Sequence, residues 1–390
     1  MHMQELDISE DLWEKYESTE STGDAISRPS YTYFEESWRS LKKNKLAMIA
    51  IVIIVLMIGV AFFGPIFSPY KYDEQNLDYA SLSYRMQTYH LKEDIYIHLA
   101  NGLRIYQVSK DGEVESFVEP VETDMVKKTK TYQISGETFH IDFNKRPIQI
   151  INTQGIHLEE AGKVFNKTHL LGTDKLGRDM LVRLMYGARI SFTVAIIATT
   201  VNVLIGVMYG GIAGYFGGWV DNLMTRTVDV ISAVPMMLYI ILLMVVIGPG
   251  LKTIIIAMGV VFWIGTARLV RGEILSLKSK EYVMAAKMIG VSDLNIIIRH
   301  LLPNAMGPIM VSLTFMIPEA IFTEAFLSFI GLGIPAPQAS WGTLCESAVE
   351  GLQTYPYQLF FPAAAISITI LAFNILGDGL RDALDPRLRN

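Results

Sequence analysis

Residues 46–67 read LAMIAIVIIVLMIGVAFFGPIF, 22 positions without one charged side chain. About 20 apolar residues carry a helix across the hydrocarbon of a bilayer, so this stretch is expected to span a membrane. Similar uncharged runs follow at 190–216, 230–251 and 359–377. The run at 253–267 is shorter and is flanked by Lys252 and Arg268, whose stems reach the interfaces. The run at 305–332 is long enough but contains Glu319 and Glu324. Counted together, these predict an all-α polytopic membrane protein with six transmembrane helices.

Composition agrees. Of the 390 residues, 51% are apolar and 18% charged, where a soluble domain carries about a quarter charged. The net charge of −6 gives no basic face for nucleic acid. The single cysteine, Cys345, has no partner for a disulfide within the chain and reads as a small apolar filler. The start of the chain is polar, with Glu5, Asp7, Glu10, Asp11 and Glu14, unlike the basic start and apolar core of a signal peptide. It reads as a flexible tail.

Orientation follows from the excess of lysine and arginine expected in cytoplasmic loops. Arg39, Lys42, Lys43 and Lys45 precede the first run, placing residues 1–45 in the cytoplasm and residues 46–68 in the membrane. Alternation then places Arg268, Arg271, Lys278, Lys280, Lys287 and Arg299 inside, with Arg381, Arg387 and Arg389 of the tail. Arg178, Arg183 and Arg189 fall outside, against the trend. Residues 69–167 become an external insertion. They alternate at Ile95-Tyr96-Ile97-His98-Leu99 and Phe139-His140-Ile141-Asp142-Phe143, with turn signals at Asp111-Gly112 and Ser135-Gly136. The pattern predicts a small β-rich external domain inserted between helices 1 and 2.

The loop after the fourth run reads Glu281-Tyr282-Val283-Met284-Ala285-Ala286-Lys287-Met288-Ile289-Gly290. This predicts a short helix ended by Gly290 in the left-handed cap position. Ser292 is placed to cap the next helix, with Asp293 favouring its first turn. Ala285 and Ala286 are small enough for a partner to approach. Ile296-Ile297-Ile298 leads through Leu302-Pro303 into the fifth run. Such an elbow, fixed to a span, is shaped to transmit a push from a cytoplasmic partner.

The elbow resembles the EAA loop of ABC importer permeases. Ala285, Ala286, Gly290, Leu302 and Pro303 stand in register with that signature, while Met284 replaces its Glu and His300 its Ile. Two further stretches resemble permeases of the dipeptide and oligopeptide (DppC/OppC) type. One runs His169-Leu170-Leu171-Gly172-Thr173-Asp174-Lys175-Leu176-Gly177-Arg178-Asp179, and continues at Tyr186-Gly187-Ala188-Arg189-Ile190-Ser191. The other runs Glu324-Ala325-Phe326-Leu327-Ser328-Phe329-Ile330-Gly331-Leu332-Gly333, with Ser340-Trp341-Gly342. The resemblance covers residues 169–390 and not the insertion. It implies a permease core at 168–390, with transmembrane helices 2–6 and a coupling loop at about 273–303. It further implies a prokaryotic cytoplasmic membrane, a homologous second permease subunit, two ATPase subunits and an external peptide-binding protein. ATP and magnesium would be used by those ATPase partners. Glu281, Tyr282, Ala285, Ala286, Lys287, Gly290, Leu302 and Pro303 would carry the coupling. The substrate would be a dipeptide or oligopeptide, although relatives also import nickel chelates or glutathione.

Two features invite separate readings. Gly206, Gly210, Gly214 and Gly218 recur every four residues, a small-residue stripe that lets helices approach closely in lipid. The stripe serves packing within this chain or contact with the partner permease. Glu319 and Glu324 are five apart, roughly 140° around a helix, and a carboxylate in the bilayer faces the bundle interior or water. Each either lines the path of a peptide's amino end or pairs with a neighbour.

No Gly-x-x-x-x-Gly-Lys-Ser/Thr loop, His-Glu-x-x-His or Gly-x-Ser-x-Gly occurs, which speaks against ATP binding by this chain, a metalloprotease or a lipase. The histidines lack ligand spacing, so no metal and no cofactor is expected. Two other function classes are a secondary transporter, which calls for paired repeats with broken helices, and a membrane receptor whose external domain senses a ligand.

Overall fold

A computed structural model describes residues 33–92, 94–144 and 148–384. The acidic tail at 1–32 and the basic residues Arg387 and Arg389 lie outside the described residues. The chain begins with α1 (Tyr33–Lys43), which Asn44 separates from α2 (Lys45–Phe63). The Asn44 side-chain oxygen accepts the Ala47 N–H at 3.1 Å, satisfying one of the free donors at a helix start. Leu41 of α1 is buried with Ala47 and Ala383, so α1 lies against the start of α2 and the last described turn of the chain.

The insertion is a β domain. Its strands are β1 (Arg85–Lys92), β2 (Ile95–Ala100), β3 (Arg104–Val108), β4 (Val114–Val118), β5 (Glu122–Asp124), β6 (Thr129–Ile134), β7 (Glu137–Asp142), β8 (Gln149–Asn152) and β9 (Glu160–Phe165). They form a five-stranded sheet, β4-β3-β2-β1-β9, and a four-stranded sheet, β5-β6-β7-β8. Alternation puts Ile97, Ile105, Tyr132, Phe139, Ile141 and Ile150 into one core shared by both sheets. Ser135 and Gly136 both have positive φ (47° and 86°), as the two-residue hairpin turn between β6 and β7 requires.

The stretch from His169 to Asp179 bolts this domain to the helices. Asp179 caps α3 (Met180–Phe216) by accepting the Val182 N–H at 2.9 Å, and lies 2.9 Å from His169 Nδ1. Asp174 accepts Arg178 Nε at 2.7 Å. The last helix, α12 (Tyr357–Leu384), joins the same knot. There the Tyr357 hydroxyl donates to the Leu82 carbonyl and Gln358 Nε2 to the Thr173 carbonyl, both at 2.9 Å.

Among the described residues, five stretches are long and apolar enough to cross a membrane: Lys45–Ile66, Met180–Phe216, Leu251–Leu277, Asp293–Phe329 and Tyr357–Leu384. Between the second and third lie α4 (Gly218–Ser232) and α5 (Met236–Ile247), bent by 75°. The run at 230–251 is therefore not one straight span. Pro235 has no N–H and disfavours the helical region for Val234, so the helix stops there. The third long stretch comprises α6 (Leu251–Val261) and α7 (Trp263–Leu277). The short run at 253–267 thus extends by ten residues into the charged loop.

α3 begins ten residues before Ile190, so Arg183 and Arg189 lie on the helix rather than ahead of it. Arg189 donates to the Ala61 and Phe62 carbonyls (3.3 and 2.9 Å), and Arg183 to the Tyr72 carbonyl (3.0 Å). Both arginines cap backbone at the end of α2 and just beyond it, which accounts for basic residues at this position. After α7 come α8 (Glu281–Met288), α9 (Asp293–Ile296), a π-helical segment (Ile297–Leu301) and α10 (Leu302–Phe329), then α11 (Trp341–Val349) before α12.

Candidate functional site

The elbow folds from Lys280 onward as one unit. α8 ends at Met288 with Ile289 as its cap, and Gly290 takes φ +82°, the left-handed region that favours glycine. Its N–H bonds to the Lys287 carbonyl, and the Val291 N–H reaches back to the Ala286 carbonyl at 3.1 Å. Ser292 occupies the cap position of α9 but makes no side-chain cap bond. Asp293 instead accepts the hydroxyl of Tyr215, at the end of α3. The Lys287 ammonium sits 4.7 Å from the centre of the same Tyr215 ring, within cation–π range. Tyr215 thus holds α8 and α9 together from the neighbouring span. Nearby, Lys278 donates to the Gly214 carbonyl at 3.0 Å, and Arg271 pairs with Asp221 of α4 (Nη2 to Oδ2, 2.6 Å). A hydrogen bond to a charged group contributes about 1.5–3 kcal/mol. Tyr215→Phe keeps the ring under Lys287 and loses that bond. It is expected to lower the thermal unfolding temperature of the purified protein by a loss within that range, at an unchanged membrane level.

The two faces of α8 differ. Val283 and Ala286 are buried against Tyr215, Val270, Ile274 and Ile296. Ala286 therefore packs on its own chain and offers no approach to a partner, correcting the expectation from its size; Ala285 is exposed. Tyr282, Met284, Met288 and Ile289 point outward, Met288 and Ile289 being 84% and 80% exposed, and Leu294 and Ile298 continue the apolar tip. Exposed apolar clusters of this kind mark interaction surfaces. Sequence reasoning passed over Met288 and Ile289. The signal was present, because a single amphipathic stripe cannot bury Tyr282, Val283, Met284, Met288 and Ile289 together. Glu281 and Lys287 are exposed on α8. Leu302 packs against the buried base of the elbow, and Pro303 sits in the first turn of α10.

The glycine stripe lies between α3 and α7. A Cβ on Gly206 would stand 2.5 Å from Thr266 Cβ, one on Gly210 2.3 Å from the Ala267 carbonyl, and one on Gly214 2.9 Å from the Arg271 carbonyl. Packing within this chain therefore uses these three. Gly218 does not belong with them. α3 has ended, Gly218 begins α4 at φ +54°, and open space surrounds it.

The two glutamates of α10 go separate ways. Glu324 is fully buried and accepts the hydroxyls of Ser191 on α3 and Ser328 on α10, each at 2.8 Å. Ser340, which caps α11, stands 3.4 Å from the Ser328 hydroxyl. The carboxylate thus ties α3 and α10 together beside the start of α11. Glu324→Ala strands two hydroxyls in a dry interior, a loss of about 2–4 kcal/mol, and should lower the thermal unfolding temperature of the purified complex. Glu324→Gln keeps an acceptor and should change it little. Lost transport at an unchanged unfolding temperature would instead put this carboxylate in the substrate path. Glu319 is exposed and lines a cavity of about 450 Å³ at the α4–α5 break, with Ser232, Pro235, Phe262, Ser312 and Met316.

Residues 202–390 match the family described as binding-protein-dependent transport system inner membrane component. Residues 32–85 match the N-terminal TM domain of oligopeptide transport permease C. The chain is 38% identical over 382 residues to the oligopeptide transport system permease protein OppC of Bacillus subtilis, covering 98% of this chain and 99% of that one. It is 40% identical over 367 residues to the dipeptide transport system permease protein DppC of the same organism, covering 94% and 89%. With Escherichia coli OppC it shares 44% identity over 221 residues, 57% of this chain and 73% of that one. A match over 382 of 390 residues takes in the β domain, so the Bacillus OppC aligns with the insertion as well as the helices.

Proposed function

The chain belongs to the oligopeptide and dipeptide permease family of ABC transporters, and from that premise we propose that its elbow is where an ATPase partner drives it. It is a multi-pass membrane subunit of an ATP-driven peptide importer, and ATP hydrolysis lies in separate subunits. The observation that carries the proposed coupling is the two-faced α8, with Val283 and Ala286 anchored in the chain and Met288 and Ile289 presented outward. A contact made by that tip reaches α3 through Tyr215 and α10 through the π segment.

On this reading the elbow and both termini face the cytoplasm, as Arg39, Lys42, Lys43 and Lys45 favour. The bent pair α4–α5 makes the sixth crossing. The β domain is external. The full assembly is a heterodimer with a homologous permease, two ATPase subunits using ATP and magnesium, and an external peptide-binding protein. Binding and hydrolysis of ATP move the elbow, and the helices rock between inward-open and outward-open states. Glu319, facing the cavity at the α4–α5 break, is the proposed contact for a peptide's amino end. A secondary transporter would need a matching pair of broken helices, and among the described residues one bent pair occurs.

The test has two arms. An ATPase should co-purify with this chain, and vesicles holding the complex should accumulate dipeptides or oligopeptides only with ATP. Protease should cut the loop at 278–292 only from the cytoplasmic side. Cleavage from the outside overturns the coupling role.

A further inference from the structure

Between the five-stranded sheet and the first turn of α12 lies a cavity of about 750 Å³. Its two walls differ in chemistry. The α12 side is aromatic, with Tyr355, Phe360 and Phe361; Phe360 is 65% exposed. Tyr84 closes this side against Phe361, edge to face at 5.5 Å. The sheet side carries two cations, Arg85 on β1 and Lys163 on β9, both exposed. His98 on β2 also lines the cavity, and burial pushes its imidazole below its ordinary value. Among the described residues, no Asp or Glu lines the cavity. Glu160 on β9 accepts the Gln87 amide at 3.1 Å.

Height in the membrane fixes what can enter. Gln358 is the last polar side chain before the apolar stretch 359–366 of α12, so with α12 placed in the membrane as proposed above Phe360 stands at the edge of the hydrocarbon while Tyr355 and Tyr357 fall at headgroup level. Aromatic residues concentrate at that level. The cavity therefore has an apolar side continuous with the acyl region and a cationic side above it.

We propose that this cavity holds an anionic phospholipid, its phosphate between Arg85 and Lys163 and an acyl chain along Phe360. The lipid fills the gap between the β domain and the bilayer and fixes the domain's tilt. The proposal rests on the membrane placement of α12 given above, and its test separates the two.

The assembled transporter is reconstituted in nanodiscs with photoreactive phosphatidylglycerol, irradiated, and the labelled peptides are mapped by mass spectrometry. Label is expected in residues 81–101 and 352–361. Arg85→Gln with Lys163→Gln should lower it about tenfold or more, the scale of removing two cations from an anionic lipid. Arg85→Lys with Lys163→Arg should restore it, and Lys127→Gln on the other sheet should leave it unchanged. Equal labelling by photoreactive phosphatidylcholine overturns the proposal, as does undiminished label in the double glutamine variant. Loss of label to millimolar inorganic phosphate identifies a simple anion site and also overturns it. So does crosslinking of these segments to another protein in place of lipid. ATP-dependent peptide uptake is measured in the same discs. Retained uptake without lipid label sinks the lipid site alone, whereas lost uptake in the unmodified complex sinks the importer reading.

Discussion

Replacing Gly210 with valine should leave almost no folded protein in the membrane. A Cβ there meets the Ala267 carbonyl oxygen at 2.3 Å, the Arg271 nitrogen at 2.9 Å and Val270 Cβ at 3.0 Å. Two of these atoms are backbone and cannot swing aside, so α3 and α7 must separate along their shared face. Lipid supplies no hydrophobic drive between helices, and the lost close packing is not replaced. Overpacking a core costs about 1–3 kcal/mol where side chains can adjust; against backbone the loss should exceed that range. The comparison that checks it is Gly211→Ala. There the nearest atom, Ile297 Cγ2, is 3.7 Å away, so membrane levels should match the parent. Equal accumulation of Gly210→Val and Gly211→Ala would show that the α3–α7 contact does not hold the fold.

Changing Met288 and Ile289 together to glutamate should abolish ATP-driven uptake while leaving the permease intact. Both side chains are mostly exposed, and surface changes away from packed features usually shift stability by less than about 0.5 kcal/mol. In a docked complex each apolar side chain would bury about 1.5–3 kcal/mol of hydrophobic contact, and a carboxylate in its place adds desolvation. The ATPase should no longer co-purify, and uptake should drop to background with an unchanged protease pattern. Val283→Glu gives the contrasting failure. Val283 is fully buried, so that variant disorders the elbow and is lost from the membrane. A double variant that still transports would remove the apolar tip from the docking surface.

What could be read in advance follows from the range of each signal. The run at 46–67 and the hairpin at Ser135-Gly136 are local, set by lipid thickness and by two φ angles, and both stand where the residues put them. The run at 230–251 did not reveal its break, because absence of charge measures solubility in lipid and not continuity of backbone; Pro235 carried that information. Gly218 was drawn into the stripe because a period of four ignores where a helix stops, and the adjacent Gly217 and Gly218, both at positive φ, end it. Ala286 was read by size when its position beside Val283, three residues back on the helix, decided its burial. The serine partners of Glu324 were out of reach altogether, since Ser191 lies 133 residues away in the chain.

α3 has 37 residues in one unbroken helix, about 55 Å at 1.5 Å per residue, against roughly 30 Å of hydrocarbon. One end is rooted by Asp179 beside the β domain, the other is gripped through Tyr215 by the elbow. A stiff rod held at both ends makes the β-domain knot and the elbow mechanically reciprocal. A contact that binds tighter in one position of either end is felt at the other, with the same coupling energy in each direction. A substitution in the His169–Asp179 knot should therefore change the affinity of whatever grips the elbow, with no messenger but the helix itself.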